Sequence, residues 1–425
     1  MEKGDKDVLL KLKEDYNNNL ISALIGAGFS KNISSSFPNW SELLHDMIDD
    51  LYSVDIKRYY NNYLHLNKDT NCTLKSEKEI HDEYISEIGE KNNFLEIVSE
   101  YIERKGIRES VESYIEERIP YSEIDHDGRI VLKIGNKTLE TISEECFLAH
   151  KELLRLTRLQ NIYTTNYENL LEFTKELLNK DNIAELPDLV LSAHDLSNRI
   201  HRRNIIKLHG NLRISEKDSF GFDGDNKICY VIAKEDYNSY KEKHEAFTYL
   251  MRIAMLQGKF MLIGFSGTDS NYKGMVSWMT DVLVSQDEKE TKIYLIDLSG
   301  EEVPRHLQLY YNNNHVEVVN LINEKRLKIL NFDDEEIALI LSDSQKNKRR
   351  DILVRFFQYL NNTDIEAENI SFETVVTEDK KNNEENLSFS KNTQLSILKS
   401  NSYIYRKTWQ DVPSLINNNG IESVI

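Results

Sequence analysis

The sequence predicts a doubly wound, mostly parallel α/β sheet with a helical insertion and a mixed C-terminal extension. Three observations lead there. Short apolar runs alternate along the chain with segments of helical periodicity. The runs LISALI, NIYTT, NIIKL, FMLI and IYLI are near-continuous rather than alternating, as in strands buried on both faces of a parallel sheet. Each stops at a glycine or a polar group, in GAGFS, TTNYE, LHG, GFSGTD and LID. Carboxyl ends of parallel strands share one sheet edge, so these endings converge in space.

In chain order, Val8, Leu9, Leu12 and Tyr16 mark a helix over 7–17, beside the first strand, Leu20 to Ile25. Gly26-Ala27-Gly28 follows. Glycines there let a pyrophosphate approach the backbone N–H groups, and Ser30 adds a hydroxyl donor. Lys31 stands where a full G-x-G-x-x-G would place its third glycine, so alone the stretch reads equally as a tight turn without a ligand. Pro38 and Ser41 suit a helix start, with Leu43, Leu44, Met47, Ile48 and Leu51 as its buried stripe.

Residues 52–140 read as an insertion. It is helical and charged to about 120, with a clear face at Phe94, Leu95, Val98, Tyr101 and Ile102, and then forms a hairpin turning at Gly135-Asn136. Helix returns at 143–158 and at Leu170 to Leu178. Strands are expected at Asn161 to Thr165, Leu189 to Leu191, Asn204 to Leu208, Ile228 to Ala233, Phe260 to Ile263, Ile293 to Ile296 and Val316 to Val319. Long helices are expected over 235–257 and 271–285, and two or three more over 322–360. The expected division is a catalytic domain over 1–325 and a C-terminal region, 326–425, that has apolar runs but no chemical motif.

The chain of 425 residues has 72 acidic and 53 basic side chains, a formal net charge of −19, which disfavours direct binding to nucleic acid or an anionic membrane. No stretch approaches the roughly 20 apolar residues that span a bilayer. The start of the sequence shows no signal-peptide core, so a cytoplasmic protein is expected. Cys72, Cys146 and Cys229 form no C-x-x-C, which points away from disulfides and from a cysteine-rich zinc site. His45, His150, His194, His201 and His315 have no partner at metal-ligand spacing and read as surface or structural residues.

Taken together and in order, the strand endings resemble the SIR2 (sirtuin) family, whose sheet is Rossmann-like. Gly26 to Ser30 resembles the family's first NAD loop, Thr165-Asn166-Tyr167-Glu168 its T-x-N-x-D element, His209-Gly210 its catalytic His-Gly and Gly264-Phe265-Ser266 its late Gly-x-Ser loop. The resemblance spans roughly 20–320, outside the insertion. It implies that Gly26, Ala27, Gly28, Phe29, Ser30, Thr165, Gly264, Phe265, Ser266 and Asp297 bind NAD⁺, and that Asn166 and His209 are catalytic. Asn166 would hold a water or ribose hydroxyls, and His209 would act as general base. Plainer readings stay open: Asn166 suits a helix N-cap, Ser266 an ordinary loop, Asp297 a strand-ending turn and His209 a structural histidine.

Three departures matter. The two cysteine pairs of the deacylating sirtuins are missing, so no zinc is expected; Glu168 replaces the usual Asp; and Phe37-Pro38-Asn39-Trp40 replaces an Ile-Pro-Asp-Phe-Arg type segment. In these features the chain is similar to the SIR2-like domains of bacterial anti-phage defence proteins, a branch associated with NAD⁺ cleavage to nicotinamide and ADP-ribose. That resemblance implies a homo-oligomer, a HerA-like ATPase partner or phage protein trigger, and control through the insertion or the C-terminal region. A protein deacylase and a non-catalytic sensor of NAD or ADP-ribose are the alternatives.

Overall fold

A computed structural model describes residues 7–66, 75–91, 94–180, 186–196, 203–212, 230–265, 291–342 and 349–362. They lie in one compact unit, Met1–Thr363; a second unit, Asp364–Ile425, falls outside the described residues.

The chain opens with α1 (Val8–Asn17), capped by the Asp7 carboxylate on the Leu9 amide, and runs through an αL residue, Asn19, into β1 (Ile21–Ile25). A short helix, α2 (Ala27–Ser30), forms at the glycine turn. The insertion holds α3 (Trp40–Leu66), α4 (Glu77–Lys91), α5 (Phe94–Lys105) and α6 (Glu109–Glu116), then an antiparallel sheet of β2 (Tyr121–Ile124), β3 (Ile130–Ile134) and β4 (Lys137–Ile142). The start of α3 is set by Asn39 and Glu42, each side chain accepting the other's backbone N–H at 2.8 Å. The sequence placed that start at Pro38 and Ser41.

The main chain of the sheet resumes with α7 (Leu148–Leu154), β5 (Ile162–Thr164), α8 (Leu170–Asn179), β6 (Asp188–Val190), α9 (Ala193–Leu196) and β7 (Asn204–Lys207). After these come α10 (Lys234–Lys243), α11 (Glu245–Gln257), β8 (Lys259–Ile263), β9 (Ile293–Asp297), α12 (Arg305–Asn313), β10 (Val316–Asn320), α13 (Glu324–Ile329), α14 (Asp334–Ser342) and α15 (Arg349–Asn361).

Seven strands form one parallel sheet in the order β10-β9-β8-β1-β5-β7-β6. The chain winds outward from β1 in both directions, so the switch point lies at the carboxyl ends of β8, β1 and β5. Both faces are covered, which explains the unbroken apolar runs. Ile21, Ala23, Ile25, Ile162, Met261 and Ile263 face a core shared with α1, α7 and α15. Leu24, Tyr163, Ile206, Phe260 and Leu262 face the opposite core with Phe247, Met255 and Tyr311. A third core binds the insertion helices to Tyr167, Leu212, Tyr230 and Ile232, so the insertion packs on the loops at the sheet's carboxyl edge.

Three expectations are corrected. Residues 230–233 are buried but form no strand, because the Val231 amide donates to His209 O, its carbonyl accepts from Tyr167 Oη, and the Asp236 carboxylate takes the Ile232 and Ala233 amides. The helix over 235–257 is broken at His244. The boundary expected at 325 is not a break in the core: Leu327, Ile337, Leu353, Phe356 and Phe357 pack in the same core as β1 and β8. The helix expected over 271–285 lies outside the described residues.

Candidate active site

The glycines of the first turn serve a close approach of two loops. Gly264 ends β8 at φ +74°, and a Cβ there would lie 2.3 Å from Phe29 N and 2.8 Å from Gly26 O. A Cβ on Gly26 or Gly28 would lie 2.7 or 2.9 Å from Gly264 O. Only glycine fits at these three positions. The close approach also uses the turn's amides. Gly26 N–H donates to Ile263 O at 2.9 Å, Gly28 N–H to Gly264 O at 3.0 Å and Phe29 N–H to Gly26 O at 3.0 Å. The Gly26 and Gly28 amides thus lock the first turn to the end of β8. The turn's outer surface belongs to half-buried Ala27 and exposed Gly28.

The Phe29 side chain faces the core. Its ring is 1% exposed and packs at 4.2 Å, centroid to centroid, on His150, beside Phe357. It anchors the turn from below. Burial pushes the His150 imidazole down to about 3, so at neutral pH this histidine is an uncharged core residue.

Ser30 belongs to a buried polar triad rather than to an open phosphate site. Its Oγ donates to Glu168 Oε1 at 2.5 Å and accepts from Asn166 Nδ2 at 3.1 Å. Asn166 Nδ2 also donates to Glu168 Oε1 at 2.9 Å. Ser30, Asn166 and Glu168 are 2%, 8% and 9% exposed. With both amide hydrogens committed, Asn166 has its carbonyl Oδ1 to offer a ligand as an acceptor. Asn166 is not a helix cap; α8 begins after Asn169, whose amide instead bridges to Ser122 of β2. Thr165 is half-buried, with its amide on Ile25 O.

Burial raises the Glu168 carboxyl above its usual range, and the nearby charge of Lys207 opposes that rise. Lys207 sits within β7 at 1% exposure. Its ammonium donates to Glu168 O at 2.5 Å and Tyr167 O at 3.3 Å and pairs with Glu172 at 3.0 Å. This lysine braces the loop that carries Asn166. The sequence offered a signal, a lone cation in NIIKL, which the apolar-run reading passed over.

His209 lies two residues beyond β7, as Asn166 lies two beyond β5, and Thr164 pairs with Lys207 across the two strands. The predicted catalytic pair thus occupies matching positions on neighbouring strands. Gly210, at φ +102°, turns the chain sharply after the histidine. The His209 ring is buried and meets Tyr237 and Tyr240 edge-on at centroid distances of 5.5 and 6.2 Å. Burial, reinforced by His244, pushes its pKa down to about 3. The imidazole is therefore neutral at working pH and carries one N–H donor and one acceptor nitrogen. Tyr237, Tyr240 and His244 gather around His209, which the sequence reading missed because a helical face with aromatic spacing looks like ordinary core.

Asp297 shows its plainer role: its two carboxylate oxygens accept from Ser299 N at 3.0 Å and Ser299 Oγ at 2.9 Å. It also lines a cleft of about 240 Å³ with Phe265, Glu302, Pro304 and Tyr311, at the carboxyl ends of β8 and β9. Ser266 lies outside the described residues. Folding brings His81 and Asp82 beside His45, although the three are not at metal-ligand spacing in the sequence.

Residues 160–319 match the family model of the SIR2-like domain. The chain contains a SIR2-like domain. The matched stretch runs from the residues before β5 to β10 and includes the Asn166 loop and His209. The glycine turn precedes it in sequence and joins it through β1, at the centre of the same sheet. SIR2-like domains belong to a family of NAD-using enzymes. The comparison with curated proteins gives no match. Among the described residues, no helix is long and apolar enough to cross a membrane.

Proposed function

We propose that the SIR2-like domain hydrolyses NAD⁺ to nicotinamide and ADP-ribose. The observation that carries this reading is the pairing of the buried Ser30–Asn166–Glu168 triad with a neutral His209 at the ends of neighbouring strands. Breaking the nicotinamide–ribose bond needs little nucleophilic power, since the leaving group is good and positive charge develops on the ribose. Asn166 Oδ1 accepts a hydrogen bond from a ribose hydroxyl or from the attacking water. The buried Glu168 carboxyl, when ionised, favours the developing positive charge. His209 takes the proton that the water loses, which balances NAD⁺ and water against nicotinamide, ADP-ribose and H⁺.

The residues fit the substrate on two counts. Ala27 and exposed Gly28 present a side-chain-poor surface at the switch point, where a pyrophosphate can approach. The cleft at Phe265 and Asp297 lies farther along the same sheet edge, on the β8–β9 side, and suits the adenosine half.

We read this activity as anti-phage defence by NAD⁺ depletion, in a cytoplasmic homo-oligomer whose basal turnover an ATPase partner or a phage protein raises; the missing cysteine pairs and the insertion support that reading. The insertion is the route for control that the packing supports best, since its core holds Tyr167, between Asn166 and Glu168. The test is NAD⁺ turnover by Asn166→Ala and His209→Ala beside the unaltered chain. Loss of turnover in both variants, with unchanged circular dichroism, is expected. Full activity in either variant removes that residue from the mechanism.

A further inference from the structure

The insertion gathers side chains for which the NAD⁺ chemistry has no use. His45 on α3 and His81 on α4 are far apart in sequence, yet their ring centroids lie 5.7 Å apart. Asp82 Oδ1 sits 3.7 Å from His45 Nε2 and 3.7 Å from His81 Nδ1. One ligand atom from each of the three residues lies within 4.8 Å of the other two. These separations are too long for good hydrogen bonds. They are close to what a metal needs: bonds of about 2.0–2.1 Å in a tetrahedron set ligand atoms about 3.4 Å apart.

The orientation of His81 strengthens the case. Its Nε2 is 2.8 Å from Asp49 Oδ1. In the neutral ring that contact places the proton on Nε2, so the Nδ1 lone pair faces the Asp82 carboxylate. Two acceptors then oppose each other across a gap that a cation would join. A carboxylate behind a ligating imidazole is the usual device for fixing its tautomer and direction. His45 and His81 are half-buried and Asp82 is exposed, which leaves room for water as a further ligand. Two imidazoles and one carboxylate suit a borderline divalent ion such as Zn²⁺, Co²⁺ or Ni²⁺ better than Mg²⁺ or Ca²⁺.

We propose that His45, His81 and Asp82 bind one divalent transition-metal ion, oriented by Asp49, and that the ion pins α3 to α4. The plain alternative is a solvated face of histidines paired with aspartates.

Titration of the full chain, stripped with chelator, by Co²⁺ separates the two. The expected result is one saturable equivalent with visible d–d absorption, displaced by Zn²⁺, and a thermal midpoint that rises on Zn²⁺ addition. The double substitution His45→Asn/His81→Asn is expected to abolish that equivalent, and Asp49→Asn to weaken it by about 10–100-fold. Absence of a saturable equivalent overturns the proposal, as does an equivalent that survives in the double variant. Should the double variant fail to fold by circular dichroism, Asp82→Asn decides: binding at least tenfold weaker supports the site, and unchanged binding overturns it.

Discussion

Gly264→Ala tests the lock between the first turn and the end of β8. The new Cβ would meet Phe29 N at 2.3 Å, Gly26 O at 2.8 Å and Gly28 C at 2.9 Å, all backbone atoms of the first turn. None can swing aside as a side chain can. The left-handed φ of +74° costs a non-glycine residue about 1–2 kcal/mol. Forcing extra volume into a packed site costs about 1–3 kcal/mol more, and loss of the Gly28–Gly264 hydrogen bond about 1 kcal/mol. The total, about 3–6 kcal/mol, is a large part of the roughly 5–15 kcal/mol that holds a domain folded. Gly106→Ala is the control. Gly106 has φ +78° but nothing within 4 Å of its Cβ position, so only the conformational part applies. Urea denaturation of both variants measures the difference. Gly264→Ala is expected to lose at least about 2 kcal/mol more than Gly106→Ala. Equal losses would refute the argument that steric closure makes Gly264 obligatory.

Other consequences follow from the same geometry. His209 and His150 both titrate near 3 in the folded chain against about 6.5 unfolded, so the stability they contribute is complete above 6.5 and drains away as pH falls towards 3. Each accounts for about 2 kcal/mol between pH 7 and pH 5, and His209→Gln should remove its share of that slope; an unchanged slope in urea melts at the two pH values would contradict its burial as a neutral base. Lys207→Met leaves Glu172 without its cation and frees the Tyr167 and Glu168 carbonyls, so a loss of about 3 kcal/mol is expected in the same assay. A chain ending at residue 320 loses α13, α14 and α15 from the main core and should aggregate in gel filtration where the full chain does not.

The sheet was legible in the sequence because strands buried on both faces must be apolar throughout, and each ended in a recognisable break. The positions of Asn166 and His209 followed from that, since parallel strands leave their carboxyl ends on one edge. The roles of the first turn were not legible. Glycine at 26 and 28 serves phosphate approach and loop–loop approach equally well, and only the contact with Gly264 shows that the amides are already paired. Ser30 likewise looked like a phosphate ligand, because its partner Glu168 lies on another strand's loop. The chain from 326 onward read as a separate region because helical periodicity marks an apolar face without saying what covers it; for α13, α14 and α15 the cover is the main core. His45, His81 and Asp82 could not be paired by spacing, as the packing of α3 against α4 alone brings them together.

The most direct test is to incubate the full chain with NAD⁺ alone and separate the products by chromatography. The account predicts nicotinamide and ADP-ribose in equal amounts with no acylated peptide present. Nicotinamide released only when an acyl-lysine peptide is added, with the acyl group transferred to ADP-ribose, would contradict it.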